Sequence, residues 1–218
     1  MNLSKLIELA NGSGGTLYLM AVLLLVELTV IFERMRHLSS MEGDGRRLIA
    51  ELHGEALLPA VQLEQAAIRH AGIPHAALLH AALLEGRDTP EAAVSGHLEE
   101  VMMHEAPRLD RSLWVLDTVI TLAPLLGLFG TIIGMFRAFS VLGDVANGAG
   151  QVTGGIAEAL LATACGLFIA MIGLVFFNLL NTKVRTIVHQ LDTLKVMLIN
   201  RRVPPDNAGR SLRIAGRD

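Results

Sequence analysis

The residues of this chain that could do chemistry are polar groups set in apolar sequence. Glu158 stands just before 24 uncharged residues, Ala159 to Thr182. A carboxylate at the centre of a membrane span costs about 2.5–3.5 kcal/mol on insertion scales, so it must face a partner helix or water. Glu158 therefore reads as an ion-pathway residue, or as an interfacial carboxylate that reaches headgroups. Thr163 lies inside the same run, and Thr131 lies in another of 19 uncharged residues, Thr118 to Phe136. A hydroxyl can donate or accept a hydrogen bond without a fixed charge. Its more ordinary fate in a membrane helix is a bond to its own backbone carbonyl. Glu27 sits in a third apolar stretch, roughly 10 Å along a helix from Arg34. It either faces protein or lines a partner helix.

Other chemistries are poorly served. None of the eight histidines stands in a compact ligand spacing such as HExxH. Cys165 is the one cysteine, which excludes a disulfide framework and a Cys-based zinc site. Nothing near it would lower a thiol pKa, so it reads as apolar filling. There is no phosphate-binding glycine loop and no nucleophile–base pair. The reading is of a protein that is not an enzyme and holds no cofactor. A formal net charge of −3 excludes binding to nucleic acid through a general basic field.

These polar groups need elements to position them. The chain is 52% hydrophobic and 18% charged, against about 25% charged in an ordinary soluble domain. A membrane helix needs about 17–25 mostly apolar residues. The second and third runs meet that length outright, and the first does so if Glu27 is accepted within it. The sequence predicts an all-α membrane protein with three transmembrane helices at 15–33, 113–142 and 156–181. The first follows a short outer segment, 1–14, and is expected to be retained, because Arg34 and Arg36 follow its apolar stretch. Sixteen of the 18 Lys and Arg fall in 34–112 or after the third span. The positive-inside rule then puts the N-terminus and the 143–155 loop outside, and 34–112 and the C-terminus inside. Arg137, near the outer end of the second span, is expected to snorkel to the surface.

Pro59, Gly72 to Pro74 and Gly86 to Asp88 divide 34–112 into short helices. Thr89 and Pro90 read as an N-cap and first helical position. From Pro90 a single helix is expected to run through the second span, kinked at Pro107 and on the order of 75 Å long at 1.5 Å per residue. The third span also runs on through 182–203, where Val184, Ile187, Val188, Leu191, Leu194 and Leu198 keep a helical period. The second and third spans thus extend into a helical cytoplasmic domain. The tail, 204–218, is polar, without period, and is expected to be disordered. Within the second span, Gly127, Gly130 and Gly134 form a small-residue ridge suited to close helix contact, with Gly166 on the third. Pro124 lacks an N–H and frees the carbonyl of Ile120 four residues back, so a kink is expected there.

Two stretches carry a family resemblance. Asp117-Thr-Val-Ile-Thr-Leu-Ala-Pro-Leu-Leu-Gly-Leu-Phe-Gly-Thr-Ile-Ile-Gly-Met-Phe136 resembles the second-span motif of the MotA/TolQ/ExbB proton-channel family. Gly155-Ile-Ala-Glu-Ala-Leu-Leu-Ala-Thr-Ala-Cys-Gly-Leu167 resembles its third-span motif, and Ile31-Phe-Glu-Arg34 fits the end of its first. Three spans with one cytoplasmic segment resemble the ExbB/TolQ branch. The resemblance implies a homopentamer in the bacterial inner membrane, with lipid outside and a central pore lined by the second and third spans. It implies two single-span helices of an ExbD/TolR-type partner in that pore, carrying a protonatable aspartate. Protons are then the coupling ion, and the work passes to a TonB- or TolA-like client. By position in the motifs, Thr131, Glu158 and Thr163 match the pore-lining polar residues. Glu27 is outside the motifs. A structural scaffold that conducts nothing is the alternative.

Overall fold

The computed structural model describes residues 15–54, 58–86, 89–140 and 148–201, with side chains from residue 152 onward in the last stretch. Among the described residues every regular element is a helix, and short turns join them. In chain order the elements are α1 Thr16–His53, α2 Ala60–Arg69, α3 Pro74–Leu84, α4 Glu91–Leu109, α5 Leu113–Ser140 and α6 Gly148–Asn200. Three helices, α1, α5 and α6, are long and apolar enough to cross a membrane. They form the basis of an all-helical membrane protein.

The chain divides into two compact units. The first takes Met1–Arg36 and Arg111–Asn181, and so holds the start of α1, all of α5 and most of the apolar part of α6. Its core gathers Met20, Val119, Ala123, Ala162 and Ile169. Many of its large apolar side chains stay exposed, among them Phe32, Phe136 and Leu160. Such exposure suits lipid or other helices as the neighbouring solvent.

The second unit takes His37–Asp110 and Thr182–Asp218. Its core joins Leu48 and Leu52 of α1, Leu63 of α2, Leu78 and Leu79 of α3, Leu98 of α4 and Leu191 and Leu194 of α6. The period read in the last part of α6 is the buried one: Val184, Ile187, Leu191, Leu194 and Leu198 all lie inside. Arg201 donates to the carbonyls of Leu52 and His53, closing the C-terminal end of α1. Lys183 Nζ lies 2.9 Å from Glu42 Oε2 and, by that bond first, holds the Glu42 carboxyl below the usual carboxylate range.

The helix breaks differ from expectation in two places. The single helix from Pro90 through the second span is two, α4 and α5, parted at Asp110–Ser112. Pro107 is not a mid-helix kink: it falls in the last turn of α4, where its missing N–H leaves the Met103 carbonyl without its helical donor just before the chain breaks at Asp110. Ser112 adopts φ 66, a left-handed turn residue. Its Oγ accepts from Arg34 Nη2 at 3.4 Å, and its carbonyl accepts from Val115 N at 3.2 Å. Pro90 rather than Thr89 occupies the N-cap position of α4, a one-residue difference of the usual kind. The second departure is α1, which runs 20 residues beyond the read end of the first span, to His53. Leu38, Met41, Gly45, Leu48 and Leu52 supply a buried stripe at alternating spacings of three and four, which is what a packed helix needs. The readings for 1–14, for 143–147 of the 143–155 loop and for the tail after 203 lie outside the described residues.

Gly45 leaves room in the second unit for a buried histidine. A Cβ there would overlap the His75 ring and lie 2.6 Å from Gln190 Oε1. His75 is fully buried and neither ring nitrogen has a hydrogen-bond partner. Burial first, with the His70 charge adding to it and the Gln190 amide opposing, pushes its pKa down to about 4 from 6.5. The unfolded chain therefore binds this proton more readily than the folded one. Stability from keeping His75 neutral is full above pH 6.5, and falls by on the order of 3 kcal/mol as pH drops towards 4. Equilibrium unfolding of the full chain in detergent across that range checks this: the slope should shrink in His75→Leu, and an unchanged slope would assign it elsewhere.

Candidate functional site

The site is built on the seam between α5 and α6 in the first unit. The two helices run antiparallel, and small residues set their register. A Cβ on Gly166 would overlap the Ala123 carbonyl oxygen and lie 3.2 Å from Gly127 Cα. A Cβ on Gly127 would lie 3.0 Å from both the Ala162 carbonyl and Thr163 Cα. Gly130 meets Ala162 Cβ at 2.8 Å and Thr16 Oγ1 at 3.2 Å, and Gly134 meets Ala159 Cβ at 2.8 Å. Ala138 meets Gly155 at the far end of the seam, 2.9 Å from a Cβ built there. Only residues with little or no side chain permit helices to approach so closely. Pro124 is half-buried one turn before Leu128, and α5 passes through it as one helix.

The three polar candidates lie along this seam but differ in what they touch. Thr163 Oγ1 donates to the Gly127 carbonyl at 3.0 Å, a bond from α6 to α5. Thr131, one turn further along α5, donates to the Leu128 carbonyl at 2.6 Å on its own helix. That leaves its oxygen lone pairs for an incoming donor. Glu158 adjoins Ala159, which packs on Gly134 one turn beyond Thr131. It is half-buried and has no hydrogen-bond or ion-pair partner among the described residues. All three are half-buried. The chain's own helices cover one side of each and leave the other side open.

Glu27 is placed differently. It is completely buried, and neither carboxylate oxygen has a hydrogen-bond partner. Its Oε1 occupies the space where a side chain on Gly173 would begin, and Ile120 Cγ1 comes within 2.8 Å of the same point. The carboxyl thus faces the chain's own α5 and α6. Arg34, read from sequence only as part of a basic cluster and a motif, is also buried, with Nε 3.6 Å from Glu33 Oε2. Gly173 went unremarked in the sequence. Its signal was there: it follows Gly166 by seven residues, which returns to the same helix face. Cys165 is half-buried and lines an apolar groove with Leu17, Met20, Leu24 and Phe168.

With that geometry in place, the relatives decide the family. Residues 70–193 match the model of the MotA/TolQ/ExbB proton channel family. The chain belongs to this family. It is 45% identical over 84 residues to the biopolymer transport protein ExbB-like 3 of Synechocystis, 37% of this chain and 40% of that protein. It is 38% identical over 104 residues to the Tol-Pal system protein TolQ of Haemophilus influenzae, 46% of each chain. It is 35% identical over 100 residues to the biopolymer transport protein ExbB of Neisseria gonorrhoeae, 44% of this chain and 46% of that one. These names set the chain in the ExbB/TolQ-like branch of the proton channel family. The chain spans 40–46% of the length of these relatives. The family match covers α3, α4, α5 and nearly all of α6. Glu27, on α1, lies outside it.

Proposed function

We propose that this chain is the channel-forming subunit of a bacterial inner-membrane complex that turns proton motive force into mechanical work. The observation that carries this reading is the half-open polar seam: Thr131, Glu158 and Thr163 on closely packed α5 and α6, each with one side uncovered. In a charge-free part of two membrane helices, such groups need another polar surface to face. Five copies arranged with this seam inward would make a pore lined by the second and third spans. A pair of single-span helices of ExbD/TolR type would fill it and bring the aspartate that takes and releases the proton. Work would pass to a TonB- or TolA-like client. The charge distribution supports an outer N-terminus and an inner C-terminus.

The residue types suit that cycle. A partner carboxyl that alternates between protonated and ionised forms needs contacts that serve both. Both threonine O–H groups are given to backbone carbonyls, so each hydroxyl oxygen can accept from the acid as it stands and can donate to the anion by turning away from its carbonyl. A fixed positive charge at the same place would favour the ionised form and stall the cycle. The third span offers no aspartate of its own, which agrees with a titrating group supplied by a partner.

One observation favours a second reading. The Thr163 hydroxyl is spent on Gly127, as it would be in a scaffold subunit whose polar groups only hold helices together. Native mass spectrometry of the complex, purified with its single-span partner, separates the accounts at the level of assembly. Five copies of this chain with two of the partner are expected. Recovery of this chain without any single-span partner would contradict the channel reading.

A further inference from the structure

We propose that Glu27 is a proton-binding site within the subunit body, and that its acid O–H donates to the backbone carbonyl of Ile120. Three observations meet there. First, the Glu27 side chain is completely enclosed by its own chain, so assembly with other subunits cannot expose it further. Second, neither oxygen has a hydrogen-bond partner. An ionised carboxylate so placed would carry a desolvation cost of several kcal/mol with nothing to offset it. Third, the side chain of Ile120 and the Glu27 carboxyl converge on the same point above Gly173. Ile120 is the residue whose carbonyl Pro124 deprives of its helical donor. The acid therefore has one unpaired donor, and the residue whose side chain meets it on α5 is the one whose carbonyl lacks its helical donor.

The neighbouring charges offer no other partner. On α5 the nearest titratable residue is Asp117, which is exposed, and the next is Arg137. On α6, facing residues from Gly166 to Leu180 include no titratable group. On α1, Glu33 is exposed, and Arg34 is engaged with Ser112 and Glu33. A metal cation would need several oxygen ligands, and one carboxyl against a glycine and an isoleucine cannot supply them. A proton needs one. Bound there, it ties α1 to α5 across Gly173, away from the open polar seam. The absence of a Cβ at 173 is what gives the carboxyl its place.

Infrared difference spectroscopy on the intact complex at neutral pH tests this. A carbonyl stretch of a protonated carboxylic acid is expected in the wild type and should vanish in Glu27→Gln. In Pro124→Ala the restored N–H competes for the Ile120 carbonyl, and the same band should shift. If Glu27→Gln does not fold, the wild-type complex labelled with 13C-glutamate answers the question by the carboxyl carbon shift in solid-state NMR. A spectrum unchanged by Glu27→Gln, or a 13C signal showing every glutamate ionised, would overturn the proposal. A Glu27 band indifferent to Pro124→Ala would overturn the Ile120 contact.

Discussion

Replacing Glu158 by alanine, or Thr163 by valine, is expected to stop proton-driven work while leaving the complex assembled. The argument rests on what each change removes. Glu158 has no bond to its own chain among the described residues, so its loss leaves the α5–α6 seam intact. Thr163→Val keeps the shape and deletes the hydroxyl together with its single bond to the Gly127 carbonyl, while the close glycine–alanine contacts that pack α5 on α6 remain. A hydrogen bond to a charged group is worth about 1.5–3 kcal/mol. Losing one at the step that moves a proton slows that step by about 10- to 150-fold. Glu158→Ala should do at least as much, because it removes a charge as well as a bonding group. Assembly is read by native mass and turnover by proton flux per complex. Should the variants fail to assemble, the scaffold account would be favoured, since polar groups that only join helices act through packing.

The second large effect is at Gly166. Gly166→Leu is expected to prevent stable packing of α5 on α6. Its first added carbon would already overlap the Ala123 backbone carbonyl, and a helix backbone cannot swing aside as a side-chain end can. Overpacking of this kind costs typically about 1–3 kcal/mol, and more where the obstacle is rigid. The matched control is Gly154→Ala, on the same helix, where an added Cβ meets nothing within 4 Å. Thermal unfolding in detergent should show a clear loss for Gly166→Leu and almost none for Gly154→Ala. Equal melting temperatures would mean that the helices part readily at Ala123.

Much of this was legible in the sequence, for definite physical reasons. The three long apolar helices show as missing charges, because a membrane helix has no wet face. The seam glycines show because a spacing of three or four repeats one face. The second half of α6 shows because its apolar period continues after charges return at Lys183. What escaped is equally specific. The extension of α1 to His53 was hidden because two of its residues on or near the buried stripe are Gly43 and Gly45, which read as breakers until His75 is seen to occupy the space over Gly45. The break at Ser112 was hidden because a serine in left-handed geometry carries no sequence mark. Sequence instead drew attention to Pro107, whose effect is spent at the end of α4. Glu27 was visible as a polar group out of place, but not its surroundings, since only the packed α5 and α6 bring Ile120 and Gly173 to it. For Thr131 and Thr163 the two readings open in the sequence divide in the structure: Thr131 bonds its own helix, and Thr163 bonds the neighbouring one.

The central claim is that this chain, with a single-span partner bearing an aspartate, carries protons across the membrane. Proton flux into sealed liposomes holding the purified complex, driven by an imposed potential, tests it most directly. The account predicts flux from the complete complex, with none from this chain alone and none when the partner's aspartate is replaced by asparagine. An assembled complex that carries no protons, or one whose flux is indifferent to that aspartate, would contradict it.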